Sequence, residues 1–144
     1  MLQSKLSVIV LISFLLVTLF AFKMTDNEKD VKKIASKFVK AADVQDADML
    51  ASTLYPEAMQ FVLFGPKVMK SNAEQYIEQI RAKKLGGHDR PVTFDQVEMT
   101  GENAAMVKLK AVGGGLAFQY HLTLFKLEGE WKIMTITTTV QKQG

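Results

Sequence analysis

Apolar residues fall at spacings of three and four between Val31 and Ala42 and, beyond Val92, mostly at spacings of two, so the chain reads as helices first and strands afterwards. The stripe Val31, Ile34, Ala35, Phe38, Val39 and Ala42 leaves Lys32, Lys33, Lys37 and Lys40 mostly on other faces, which predicts an amphipathic helix packed against another element. Thr25 or Asp26 is placed to cap it, and acidic Asp26, Glu28 and Asp30 suit the dipole of a first turn. Asp43 to Asp46 break the pattern. A second short helix is expected over Ala47 to Leu54, ended by Pro56, and a short strand from Glu57 to Phe64, closed by Gly65 and Pro66. Ser71 and Glu74 have the spacing of a capping box, opening a helix through Tyr76, Ile77, Ile80 and Ala82 that Gly86 and Gly87 stop.

The strand half begins with Val92 to Met99, where Val92 and Phe94 fall out of phase with Val97 and Met99; a bulge near Asp95 or Gln96 accounts for the slip. Gly101 to Asn103 turn the chain, Ala104 to Val112 alternate, and Gly113 to Gly115 turn it again. The stretch FQYHLTLFKLEGEWKI from Phe118 to Ile133 predicts two long strands joined at Glu128 and Gly129. A two-residue turn pairs Leu124 with Ile133, Leu122 with Thr135 and Tyr120 with Thr137. One face then carries Phe118, Tyr120, Leu122, Leu124, Trp131 and Ile133. The other carries Gln119, His121, Thr123, Phe125, Lys132, Met134 and Ile136, too apolar for open solvent, which points to a homodimer interface. Helices followed by a meander make an α+β order.

Ahead of all this lies Leu6 to Phe22, interrupted only by Ser7, Ser13 and Thr18 and flanked by Lys5 and Lys23. Its length falls between a signal-peptide core and a comfortable membrane span, so a cleaved export signal and a retained single anchor are the leading readings, ahead of a buried helix of the domain, which would have no polar face. Either makes the protein exported, periplasmic or extracellular, with any membrane contact made through residues 6–22. The organisation is thus 1–23 as signal or anchor and 24–144 as one domain, the latter roughly 120 residues and enough for a modest core. The chain has 144 residues, with 18 Lys plus Arg against 15 Asp plus Glu and a net charge of +3. That small, scattered excess draws no basic stripe, so nucleic acid is not an expected partner. With no cysteine, disulfides, thiolate metal sites, cysteine nucleophiles and a lipidated N-terminal cysteine are excluded.

The order of helix, short helix, LYPEA, helix and meander, with GENAAMVKL and HLTLFKLEGEWKI in its strands, resembles the nuclear transport factor 2-like superfamily, and within it the putative lumazine-binding domains. The resemblance covers about Glu28 to Thr139 and rests on Leu54, Pro56 and Ala58, on Gly101 with Ala104 and Ala105, and on Gly129 with Trp131, Lys132 and Ile133. It implies a cone-shaped fold in which N-terminal helices pack on a curved antiparallel sheet around a cavity. Enzymes and non-catalytic binding modules share that cone, so fold alone does not fix chemistry. Tyr120 and His121 stand where similar sequences often have an acidic residue followed by Tyr, and Tyr55 where they often have His. Both departures remove side chains suited to acid or base work near neutrality.

The expected cavity lies between the first helix and the hairpin, lined by Phe38, Phe61, Tyr76, Phe94, Phe118, Tyr120 and Trp131 as ligand-binding residues, with a small apolar or aromatic molecule as ligand. Tyr120 is the residue whose hydroxyl orients that ligand, and its loss is expected to leave folding little changed. No catalytic residue, metal ligand or cofactor is assigned. Asp95 is a strand carboxylate that a bulge could turn inward, His121 sits opposite the cavity face and His88 in a loop. Tyr55 reads as a rim aromatic, and Gly113 to Gly115 as a hairpin turn rather than a phosphate loop. The leading reading is an exported, non-catalytic ligand-binding or assembly module. The alternatives are a small isomerase or cyclase working by proton transfer on an apolar cyclic substrate, and a membrane-tethered interaction surface.

Overall fold

The computed structural model describes residues 26–144. The apolar run 6–22, the choice between signal and anchor, and the Thr25 cap lie outside the described residues. Among those described, no helix is long and apolar enough to cross a membrane. The chain is helical over 26–43 (α1), over Ala47–Thr53 (α2) and over Ala73–Arg81 (α3). The strands are β1 Leu54–Phe64, β2 Lys67–Asn72, β3 Val92–Met99, β4 Ala104–Gly113, β5 Leu116–Leu127 and β6 Glu130–Lys142. They form one sheet in the order β2-β1-β6-β5-β4-β3, antiparallel except where β1 runs parallel to β6. The helices cover one face, and the core forms where Val31, Ala35, Phe38 and Val39 of α1 are buried with Leu109, Leu122, Leu124 and Ile133 of the sheet. This is the α+β architecture expected from the helix-then-strand order.

Several boundaries differ from the sequence reading, each for a local reason. The strand starts at Leu54, directly after α2, and contains Pro56. Proline has no N–H to offer a ladder, and the register between β1 and β6 shifts between Leu54 and Met59, around that proline. β2 was not anticipated because its sequence, KVMKSN, is polar and lies exposed at the sheet edge. Ser71 belongs to β2. The capping box is formed one residue later, by Asn72 and Gln75, with Gln75 N–H donating to Asn72 Oδ1 at 2.8 Å and Asn72 N–H donating to Gln75 Oε1 at 3.0 Å. Nor does α3 run to Gly86. Lys83 takes a left-handed φ of 56°, and the N–H groups of Lys83 and Lys84 close on the carbonyls of Ile80 and Gln79, a Schellman termination without glycine.

The bulge in β3 is where the phase slip placed it, between Phe94 and Gln96. The hairpin turn is also as expected: Leu127 faces Glu130, and Glu128 and Gly129 both have positive φ, the geometry whose twist matches the strands. The pairing beyond it is not. Leu124 does face Ile133, but Thr123 faces Thr135, so Met134 is an extra residue; Leu122 therefore pairs with Ile136 and Tyr120 with Thr138. Strand parity is strict, so one inserted residue exchanges faces for everything after it. Ile136, expected on the outer face, is in the core, and Thr138 and Val140 follow it inward.

Candidate functional site

Asp43 ends α1, and the segment after α3 returns across that end before entering β3 at Val92. Gly86 makes this approach possible: a Cβ there would collide with the Ala42 carbonyl oxygen, which also accepts a hydrogen bond from Gly87 N–H at 3.1 Å. The close pass delivers Arg90 into the interior. Its Nε donates to Asp43 Oδ1 at 2.6 Å and its backbone N–H to Asp43 Oδ2 at 2.9 Å. Its Nη1 donates to the Tyr120 hydroxyl at 2.7 Å, and its guanidinium lies 4.5 Å from the centroid of the Phe118 ring. The two charged side chains are only 7% and 3% exposed, so each is the other's counter-ion in place of water. Burial alone would lower the Arg90 value, but Tyr120 and Asp43 outweigh it and hold the guanidinium above its ordinary range. Burial raises the phenol values of Tyr76 and of Tyr120, against a smaller lowering by Arg90, so both rings are neutral hydrogen-bonding groups at physiological pH.

Next to this cluster a cavity of about 260 Å³ opens between the end of α1, α3, the loop after α3 and the sheet. Tyr76, Phe118 and Tyr120 supply its aromatic wall, Gln60, Thr138 and Arg90 its polar groups, and Lys84 and His88 stand at its exposed rim. No carboxylate belongs to the lining among the described residues. A more open depression of about 610 Å³ between the β1–β2 turn and the end of β6 has no comparable buried polar cluster among its lining residues.

Three of the seven aromatics proposed from sequence therefore meet at the cavity: Tyr76, Phe118 and Tyr120. Phe38 lies behind them in the core, its ring centroid 5.7 Å from Tyr120 and 6.2 Å from Tyr76. The other three do not reach it. Phe61 is exposed on the opposite face of β1 beside Lys70, Phe94 lies under Lys32, and Trp131 is buried near the hairpin end beside Lys126. The remaining candidates sit on the periphery. Asp95 stands exposed at the bulge, 3.6 Å from Lys110 Nζ, and His121 is exposed on the outer face. Tyr55 packs partly buried against the core. His88 is exposed, as a loop residue should be, yet it borders the cavity and packs on the Gly113–Gly115 turn, where a Cβ at Gly114 would sit 2.7 Å from its ring. The Tyr120 hydroxyl differs from the expectation in one respect. It already has a structural partner in Arg90, so its removal touches folding as well as any ligand.

A helical layer over a bulged sheet, with a cavity between them, can be set beside known proteins. A family model described as "Putative lumazine-binding" matches residues 26–137. The chain belongs to that family. This family member also has the fold of the nuclear transport factor 2-like superfamily. A nuclear transport factor 2-like protein of Silicibacter pomeroyi superposes with a TM-score of 0.73 at 16% identity, covering 82% of this chain and 98% of that one. Another from Shewanella baltica gives 0.73 at 14% identity over 83% and 97%. A ketosteroid isomerase-like protein of Erwinia carotovora atroseptica gives 0.63 at 16% identity over 78% and 94%. At these identities the likeness is one of fold. No curated protein matches the chain in sequence.

What the sequence reading of this family member missed is the polar half of the site. Asp43 was read only as part of a helix break, and Arg90 was assigned no role. The available signal was positional: an aspartate just where an apolar stripe ends, and an arginine before Pro91 at the entry to a strand, are both placed to turn inward. Gln60 and Thr138 gave no signal, because their burial depends on the β1 irregularity around Pro56 and the bulge at Met134.

Proposed function

We propose that this protein is an exported, non-catalytic module that binds a small, largely apolar or aromatic molecule in the cavity beside Arg90. The observation that carries the reading is the composition of the lining. Three aromatic rings and four aliphatic or small side chains enclose polar groups held in fixed positions, and no carboxylate faces the space among the described residues. Proton transfer at carbon needs a base against the substrate. Asp43 stands behind Arg90, committed to it by two hydrogen bonds, and both phenols are held protonated by burial. The other ionisable groups of the lining, Lys84 and His88, stand exposed at the rim, so the interior offers shape and a few hydrogen bonds.

Export rests on the apolar run 6–22 between Lys5 and Lys23. Assembly as a homodimer rests on the outer sheet face, where Phe61, Leu63, Met106 and Phe125 are exposed. The ligand reading is tested by thermal denaturation against a small-molecule library, run in parallel on the wild type and on Leu116→Trp, which narrows the cavity. A true ligand at a hundredfold over its Kd adds about 2.7 kcal/mol to the wild type and less to the narrowed variant. A library in which no compound stabilises the wild type selectively counts against the reading. Fractionation of cells producing the full chain tests export, and full-length soluble cytoplasmic protein would refute it.

A further inference from the structure

Gln60 and Thr138 line the cavity, are 8% and 2% exposed, and carry side-chain oxygens, Gln60 Oε1 and Thr138 Oγ1, with no hydrogen-bond partner among the described residues. Buried polar atoms are bonded in the great majority of proteins, so two orphans on one cavity wall need a cause. Packing does not require them, because valine would fill the Thr138 site and methionine the Gln60 site. Their positions are coordinated. Thr138 of β6 lies between Val62 of β1 and Tyr120 of β5, and Gln60 is two residues before Val62 on the same face. Three adjacent strands thus present an amide, a hydroxyl and a phenol along one wall, and only the phenol is engaged, by Arg90.

We propose that Gln60 and Thr138 determine specificity at this site, selecting a neutral ring compound whose buried edge carries an N–H or O–H donor; the proposal rests on the ligand-binding reading above. The donor follows from the free Gln60 oxygen, which can only accept, and the Thr138 hydroxyl can accept or donate to complete the pairing. Neutrality follows from the charges. Arg90 is already answered by Asp43, and an ionised group placed against an uncharged amide and hydroxyl would lose its hydration without a counter-charge. The ring follows from the Tyr76, Phe118 and Tyr120 wall, and a cavity of about 260 Å³ limits it to a compact molecule.

The test uses pairs in which an acceptor-only oxygen replaces the donor, indole against benzofuran and naphthol against methoxynaphthalene, titrated into the purified full chain. The donor-bearing member should bind the wild type about tenfold more tightly, the worth of one well-made buried hydrogen bond. In Thr138→Val with Gln60→Met the two members of each pair should bind alike, while the ligand-free variant melts about 3 °C or more above the wild type, since it no longer buries unpaired groups. The wild-type comparison stands without any variant. Equal binding of both members to the wild type overturns the donor inference and leaves ligand binding intact. Failure of all four probes to bind at millimolar concentration overturns both. A variant that still discriminates tenfold, or that melts below the wild type, removes Gln60 and Thr138 from the role.

Discussion

Replacing Asp43 by asparagine keeps the size of the side chain and removes the charge that Arg90 needs. In the folded protein the Asp43 carboxylate accepts from Arg90 Nε at 2.6 Å and from Arg90 N–H at 2.9 Å, with both side chains almost wholly excluded from water. An amide can accept only one of those bonds and turns its own NH₂ toward the other donor. The guanidinium is then buried without a counter-ion, a defect that costs about 3–5 kcal/mol. A domain of this size has about 5–15 kcal/mol in total, so Asp43→Asn removes a large share of it. With a urea slope of about 1.5 kcal/mol/M, the midpoint falls by roughly 2–3 M. The double replacement Asp43→Leu with Arg90→Met restores most of the loss, because a buried pair exchanged for apolar side chains of similar volume is close to neutral. Equilibrium urea denaturation of wild type, Asp43→Asn, Arg90→Met and the double variant supplies the cycle. An Asp43→Asn midpoint within about 0.3 M of the wild type, on the order of 0.5 kcal/mol at that slope, would refute the reasoning, as would strict additivity in the cycle.

Tyr120→Phe should cost about 1.5–3 kcal/mol of stability, the range for a hydrogen bond to a charged group, because Arg90 Nη1 loses its acceptor; an unchanged thermal midpoint would show that the bond contributes nothing. Alkaline pH acts through the raised phenols of Tyr76 and Tyr120: their folded values exceed the unfolded value of 10.0, so stability is fully present below that pH and is lost as pH rises above it. In Tyr55→Phe, which leaves those two tyrosines, phenolate absorbance should appear together with loss of the sheet's circular dichroism, and its appearance in a folded protein would contradict the burial argument. Phe125→Asp with Met134→Asp should convert a dimer to monomers, since two charges cannot be buried unpaired across the outer face; a wild type that sediments as a monomer at high micromolar concentration would sink the dimer.

The elements with a clear period were legible. The α1 stripe, the β3 bulge and the Glu128–Gly129 turn were all readable from spacing or turn chemistry, because each is decided within a few neighbouring residues. The parts decided by long-range pairing were not. A single inserted residue at Met134 carries Ile136 into the core and Thr138 to the cavity wall, and no local preference marks that insertion. The same division runs through the site. Tyr76, Phe118 and Tyr120 were found because aromatics on an apolar face must converge. The Asp43–Arg90 pair joins residues 47 apart in sequence, and each looks like an ordinary surface charge until the loop through Gly86 closes over α1. The parallel pairing of β1 with β6 was likewise invisible, since it joins the two ends of the domain.

Whether the cavity beside Arg90 receives a small molecule is decided by protein-observed NMR of the full chain against a library of small ring compounds. Bound fragments should shift signals clustered on Gln60, Tyr76, Arg90, Phe118, Tyr120 and Thr138, saturably and in competition with one another. Fragments that instead gather on the outer face around Phe61, Met106 and Phe125, or a cavity whose signals no compound moves, would contradict the ligand-binding reading.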